Sequence, residues 1–438
     1  MNDRDCYINA TAYVECQEAF FTMLSDFVQL LAEENEAELP NDWEQQLQDV
    51  IAFETKIAKF DWDKYVEHFF QSDVLATVSN DTLTNITHPK FMDNMGELIK
   101  TTDKKILYNY FLLYTCVVKA PMLGKRFGDI LNEFNRKQYG QTSETPENNW
   151  KICATAVRSS NLKFAVGALY VRKYFGEEAQ REAANIVNII QQTFIDHVDT
   201  LDWLDDATKK AAKQKAKNLV KIVGYSEYEI DRKKLDNYYK NIPYDDTKTY
   251  FDTSIEFQRW AQHFIMRQVV KPFNRSEPLR DATAVNPYNV VTSNSIFIPA
   301  GTLQVPLFGT DLPKAFNFGG IGATIGHELI HGFDNEGREY DDNGNVRDWW
   351  SEESTKRFNE KAQCFVKQYG NYTVDEVERN VNGELTLGEN IADNGGLKIA
   401  YKAYQRSKQF DGPQMVLPGF PPDFSDEQLF FTTYAVVS

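Results

Sequence analysis

His327, Glu328 and His331 stand in the pattern His-Glu-x-x-His. In a helix, positions i and i+4 share a face, so two imidazoles spaced in this way can converge on one metal ion. The glutamate beside the first histidine then lies close enough to take a proton from a metal-activated water and pass it to a leaving amine. That is the chemistry of peptide-bond hydrolysis at zinc. The pattern is short, and the same string also describes two surface histidines around a glutamate. The preceding residues, GGIGATIG from Gly319 to Gly326, are small or apolar and place the helix in the interior. Two histidines and a glutamate buried there without an ion would be costly, and a metal relieves that cost.

A zinc centre needs a third protein ligand. The longer pattern that supplies a third histidine requires Gly at 334 and His at 337. The chain has Asp334 and Gly337 instead, and none of its 6 histidines lies beyond His331. The third ligand is therefore a carboxylate or a cysteine. Glu389 and Asp393, in GENIADNGG from Gly388 to Gly396, again have the spacing of one helical face. Glu389 can ligate the metal while Asp393 accepts the free ring N–H of a liganding histidine, which fixes the tautomer and strengthens the ligand. An exposed acidic helix edge is the plainer explanation, but it fits poorly with Gly388, Asn394, Gly395 and Gly396, which are unfavourable inside an ordinary helix. Cys364 is the alternative third ligand.

The elements that must carry these residues are mostly helices. Phe20, Met23, Leu24, Phe27, Leu30 and Leu31 have helical spacing within about 12–34. A long helix follows from Glu177, with Ile186, Ile189, Ile190 and Phe194 on one face. Asp205 to Lys221 is rich in Ala and Lys, acids first and bases later, as the helix dipole favours; its lysines read as a solvated face. The texture changes near residue 280. ATAVNPYNVVTSNSIFIPAG is β-branched and reads as two short strands joined by a turn, with Pro287 at an edge where its missing N–H is harmless. Helices are expected from the Gly319–Gly322 stretch to His331, over about Glu352 to Tyr369, and over about Leu387 to Arg406.

With 438 residues, 42% apolar and 25% charged, the chain can bury a sizeable core. Its net charge of −17, with no basic block, argues against nucleic acid as a partner. No apolar run reaches the length of a membrane span, FLLYTCVV being cut by Lys119, and the opening residues carry no export signal. The 5 cysteines (Cys6, Cys16, Cys116, Cys153 and Cys364) form no CxxC pair, and sequons occur at Asn9, Asn80, Asn85, Asn274 and Asn371.

IGHELIHGFDNEGREYD together with LTLGENIADNGGLKIAYKAY resembles the paired signatures of the neprilysin and endothelin-converting enzyme family of zinc metalloendopeptidases. NSIFIPAGTLQVPLF, placed upstream, strengthens the resemblance. YGQTSETPENNWKICATAV, LDWLDDATKKAAKQKAKNLVKIVGY and the opening DRDCYINATAYVE match more loosely, so the likeness spans nearly the whole chain.

The resemblance implies a mainly α fold with a small β-sheet, in which a thermolysin-like zinc catalytic lobe is joined to part of a helical lobe. The expected division is a predominantly helical region, 1–270, and a catalytic region, 271–438. It implies one Zn2+ held by His327, His331 and Glu389, with Glu328 as catalytic base and Asp393 orienting a zinc histidine. Asn286 corresponds to an asparagine that holds the substrate backbone, with Pro287 beside it. Thr302, Leu307, Ala323 and Thr324 correspond to the pocket for the residue after the scissile bond. The substrates implied are oligopeptides cut on the amino side of a bulky apolar residue, and the setting implied is an extracellular or cell-surface ectodomain with disulfides and glycans.

Two departures stand out. Pro287-Tyr288-Asn289 replaces the family's usual Ala and two aromatics, and the small or hydroxylated Thr302, Ala323 and Thr324 stand where larger apolar residues are common. The family's anchor, leading cysteines, part of its helical lobe and a C-terminal segment with a catalytic histidine and arginine are expected to lie outside these residues; Cys364 resembles a cysteine paired with that segment. A family-derived peptide-binding module with impaired catalysis is the alternative reading.

Overall fold

The computed structural model describes residues 13–58, 89–139, 149–158, 162–268, 274–277, 280–375, 378–408, 419, 421 and 423–437. In chain order its helices and strands are α1 (Tyr13–Glu34), α2 (Trp43–Ala58), α3 (Pro89–Thr101), α4 (Lys104–Lys119), α5 (Lys125–Tyr139), α6 (Asn149–Arg158), α7 (Lys163–Tyr174), α8 (Glu177–Val198), α9 (Asp206–Lys217), β1 (Val220–Gly224), α10 (Glu227–Ile230), α11 (Arg232–Tyr238), α12 (Tyr250–Gln268), β2 (Tyr288–Val290), β3 (Ser295–Pro299), α13 (Lys314–Asn317), α14 (Ala323–His331), α15 (Glu352–Tyr369), β4 (Thr373–Val374), β5 (Arg379–Asn380), α16 (Leu387–Lys408) and α17 (Asp426–Val437). The fold is mainly α with small sheets, as the sequence leads one to expect. Among the described residues no single helix is long and apolar enough to cross a membrane.

The chain forms two compact units. One comprises Met1–Asn148 with Ile242–Pro272, and its core is built from Phe20, Phe27, Leu47, Val50, Leu113 and Phe127. The other comprises Asn149–Asn241 with Phe273–Ser438 and holds the candidate site. Residues 149–241, which the sequence reading grouped with the helical region, thus fold with the site-bearing unit. The physical reason lies in two long-range packings: α8 packs on α16, and β1 pairs with β3.

In that second unit a three-stranded sheet runs in the order β1-β3-β2. The central strand β3 is buried at every position, which explains its unbroken apolar reading. It pairs in parallel with β1, Val220 opposite Ser295, and antiparallel with β2, Tyr288 opposite Phe297. The turn between β2 and β3 places Asn294 at φ 44°, a left-handed conformation that asparagine tolerates. Pro287 precedes the edge strand β2, where no ladder bond is lost.

Helix α9 departs from the solvated face expected of it. Thr208, Ala212, Lys215 and Ala216 are buried, and Lys215 is only 1% exposed. Of the cysteines, Cys6 and the side chain of Cys16 lie outside the described residues; Cys116 is half-buried, Cys153 and Cys364 are exposed, and these three are free thiols. The sequons at Asn9, Asn80 and Asn85 also lie outside the described residues, whereas Asn274 and Asn371 are exposed.

Candidate active site

Helix α14 carries the His-Glu-x-x-His pattern, and the glycines before it set its depth. Residues Phe318–Gly322 form a widened π turn between α13 and α14, in which Ile321 N donates to Leu307 O at 2.9 Å. A Cβ on Gly319 would lie 3.0 Å from the carbonyl carbon of Phe430, so α17 packs directly on this turn. Further along, α14 crosses α16 backbone to backbone. A Cβ on Gly326 would come within 2.9 Å of Gly396 Cα, and one on Gly396 within 2.7 Å of His327 Cα. The glycines that make α16 a poor isolated helix are what let it approach.

That crossing assembles the donors. His327 Nε2 and His331 Nε2 are 2.9 Å apart, and Glu389 Oε2 lies 3.3 Å from the first and 3.5 Å from the second. These spacings bracket the ~3.3 Å expected between corners of a tetrahedron with zinc bonds of about 2.0 Å. Three donors converging on one point, two imidazoles and a carboxylate, suit a metal of the zinc type, so the residues present fit the ion. Cys364, the alternative third ligand, is not in this group.

The outer ring nitrogens are also held. His327 Nδ1 lies 2.7 Å from Asp393 Oδ1, the pairing that the sequence suggested. His331 Nδ1 lies 2.7 Å from Asp334 Oδ2. Asp334 was not identified from sequence as an orienting group; its position three residues after the second histidine was the available signal. It is itself fixed, since its Oδ1 accepts from Glu336 N at 2.8 Å and Gly337 N at 2.7 Å. Burial lowers the affinity of His331 for a proton, but the hydrogen bond and charge of Asp334, with Glu328 and Glu389, outweigh it and hold the imidazole above its ordinary 6.5. A metal held at His331 Nε2 would take the place of that proton.

Glu328 is buried beside the pair. Desolvation pushes its carboxyl above the usual range, against the opposing charges of His327 and His331. The helix ends here, and Gly332 N turns to the carbonyls of Leu329 and Ile330 rather than to Glu328. Asn289 of β2 meets that free acceptor, its Nδ2 donating to Glu328 O at 2.6 Å. The carboxamide thereby ties the edge strand to the backbone of the candidate base.

A cavity of about 910 Å³ opens over these groups. Asn286, Pro287, Ala323 and Thr324 line it, as does Tyr434 of α17. Leu307 and Thr302 are not among the described residues of its wall; Thr302 is buried, and its hydroxyl has no hydrogen-bond partner. Tyr434 is half-buried at that wall. Burial raises its phenol, helped by the nearby charges of Asp393 and Tyr369.

Fold and donor set together define a mainly α protein built around a candidate metal centre at a crossing of two helices. The description "Peptidase family M13" matches residues 58–226 and again 286–438, and the chain belongs to that family, the neprilysin and endothelin-converting enzyme family. It is 34% identical to Neprilysin-11 of Caenorhabditis elegans, over 99% of this chain and 54% of that protein. It is 39% identical to Neprilysin-1 of the same organism, over 80% and 46%, and 33% identical to endothelin-converting enzyme 1 of Cavia porcellus, over 99% and 60%. The chain thus spans about half the length of these relatives. Among solved structures, the zinc metalloprotease Zmp1 of Mycobacterium tuberculosis superposes with a TM-score of 0.78 at 24% identity, over 100% of this chain and 67% of that one. PepO of Lactobacillus rhamnosis gives 0.79 at 20% identity, over 99% and 68%.

Proposed function

We propose that this chain carries the metal-binding and proton-transfer residues of a zinc-dependent metalloendopeptidase acting on oligopeptides. The observation that carries the reading is the convergence of His327 Nε2, His331 Nε2 and Glu389 Oε2 within 3.5 Å, with both outer ring nitrogens held by carboxylates. One zinc per chain, bound there, supplies Lewis-acid polarisation of a carbonyl and acidifies a coordinating water.

The chain's own residues do the rest. Asp393 and Asp334 keep each imidazole's Nε2 turned to the centre. Glu328, kept from full solvation, has a proton affinity raised above the usual carboxylate range and lies beside both histidines, placed to accept a proton from the attacking water and deliver it to the departing nitrogen. The open edge of β2 offers an extended peptide a strand to pair with; Asn286 is exposed beside it, and Pro287 retains its carbonyl acceptor. Ala323 and Thr324, which line the cavity, receive the residue after the scissile bond in this reading. Small and hydroxylated side chains there blunt discrimination between Leu and Phe, because one methylene of fit is worth only about 1–3 kcal/mol. Cleavage on the amino side of an apolar residue and an extracellular or cell-surface setting belong to the same reading.

The test is metal analysis paired with hydrolysis of a quenched-fluorescent peptide. Glu389→Gln should lose zinc, while Glu328→Gln should keep zinc and lose turnover. Full zinc in the Glu389→Gln protein would sink the ligand set. Zinc with no turnover in the parent protein would leave peptide binding as the function.

A further inference from the structure

We propose that Lys215 is a positioning residue for His331, its buried ammonium holding the turn whose Asp334 orients that imidazole. The inference rests on the metal-site reading above and concerns a residue that contributes no ligand to it.

Lys215 reaches from α9 to the segment that leaves α14. Its Nζ donates to Gly332 O at 2.6 Å, Gly337 O at 2.7 Å and Tyr340 O at 2.7 Å. An ammonium has three donors and no acceptor, so these three bonds saturate it. The carbonyls it gathers flank Asp334 on both sides in sequence. Asp334 does the complementary work: one oxygen collects the N–H groups of Glu336 and Gly337, and the other meets His331 Nδ1. Gly337 is bound to both, through its N–H to Asp334 and through its carbonyl to Lys215. The turn is therefore folded around two opposite charges, and one of them is bonded to the imidazole.

The packing leaves this turn little freedom. A Cβ on Gly337 would stand 2.9 Å from the carbonyl carbons of Gly332 and His331, so the segment doubles back on the helix end without room for a side chain. The ammonium lies 5.3 Å from the ring centre of Phe333 and 5.7 Å from that of Trp349, so aromatic faces surround it as well. Burial lowers its proton affinity to about 8, against the raising charges of Asp334, Asp341 and Asp342. Burying an ammonium is costly, and an apolar side chain would fill the same space without that cost. What an apolar side chain cannot do is fix three carbonyls at one point. A helix end also favours a cation near its last carbonyls; here the cation comes from a different helix, so it ties α9 to the end of α14.

A merely structural lysine would affect folding and leave the imidazole as it was, so the ring must be read directly. The experiment uses the purified protein with its histidines labelled with 15N. Six histidines give a tractable spectrum, and His331→Gln assigns the signal. In metal-free parent protein, His331 should show its Nδ1 protonated and ordered against Asp334. In Lys215→Met the His331 ring signals should shift or broaden while those of His197 stay in place. Zinc affinity, measured by chelator competition, should fall about 10–100-fold, as for loss of a group behind a metal ligand. Asp334→Asn should give a similar loss, and the double variant less than the product of the two, because both act through one ring. If Lys215→Met fails to fold, Lys215→Arg serves instead: a planar fork cannot place three donors at one point, and the same ring shift is expected. Unchanged His331 signals in a folded variant, or multiplicative losses in the double variant, would overturn the inference. A parent protein that binds no zinc would sink the metal-site reading, and the metal-free ring signals would still decide the role of Lys215.

Discussion

Replacing Gly396 with alanine should open the helix crossing and loosen the metal site by an amount that the structure specifies. The new Cβ would stand 2.7 Å from His327 Cα and 2.8 Å from the carbonyl carbon of Gly326, both backbone atoms that cannot rotate aside. Non-bonded carbons rest at about 3.5–4.0 Å, so α16 must retreat by roughly 0.8 Å. Glu389 and Asp393 ride on that helix. The 2.7 Å contact between Asp393 and His327 Nδ1 would stretch to about 3.5 Å, beyond a useful hydrogen bond. Glu389 Oε2, now 3.3 and 3.5 Å from the two Nε2 atoms, would move toward about 4 Å, and a site loosened by about 1 Å fails as a binding constellation. We expect zinc affinity to fall about 10–100-fold and stability by about 1–3 kcal/mol from overpacking. Gly395→Ala is the control: the three atoms nearest its Cβ all belong to the Ile330 side chain, the closest at 3.1 Å, so a far smaller change is expected. Chelator competition and thermal unfolding with and without chelator measure both terms. Parent-like zinc affinity in folded Gly396→Ala, or an equal loss in Gly395→Ala, would refute the reasoning.

Three further outcomes follow from single contacts. Asn289→Ala leaves Glu328 O without its 2.6 Å donor; turnover should fall about tenfold, the ~1.4 kcal/mol of one unmet acceptor, while zinc affinity stays near the parent value, and steady-state kinetics beside metal titration would show it. Asp205 caps α9 through Thr208 N and also accepts from the hydroxyls of Ser351 and Ser354 at the start of α15, so Asp205→Ala should cost about 2 kcal/mol in denaturant unfolding. The ring of His197 is held down to about 4, first by burial and then by the charges of Lys402 and Lys398. The unfolded chain therefore takes up a proton below its ordinary 6.5 that the folded chain refuses until about 4. Stability should fall as pH drops through that window, and His197→Gln should flatten this slope in urea unfolding at pH 5 and pH 7; identical slopes would contradict the assignment.

The donors themselves were legible in the sequence because they obey local rules. His327 with His331 and Glu389 with Asp393 are i, i+4 pairs, and each helix that carries a pair is marked by its own pattern. What escaped was set by distant contacts. The strand Val220–Gly224 has only five residues and gains its meaning from pairing with Ser295–Pro299, far along the chain; no window around it could show that. Lys215 was read as solvated because α9 is crowded with lysines. Yet Thr208, Ala212, Lys215 and Ala216 form one stripe at helical spacing with a single lysine in it, and that stripe was the overlooked sign.

The two histidines also differ in how they are aimed, and this bears on which substitutions matter. His327 takes its orienting carboxylate from a residue 66 positions away on α16, so its aim depends on the glycine crossing. His331 takes its own from the turn that follows it, 3 positions on, so its aim depends on the shape of that turn. Widening the crossing should therefore disturb His327 and Glu389 while sparing His331, and disturbing the turn should do the reverse. The same ring spectra that test Lys215 can separate the two: Gly396→Ala should move the His327 signals and Lys215→Met those of His331. Joint movement of both rings in either variant would mean that the site yields as one rigid body, and the division between a packed arm and a folded arm would be wrong.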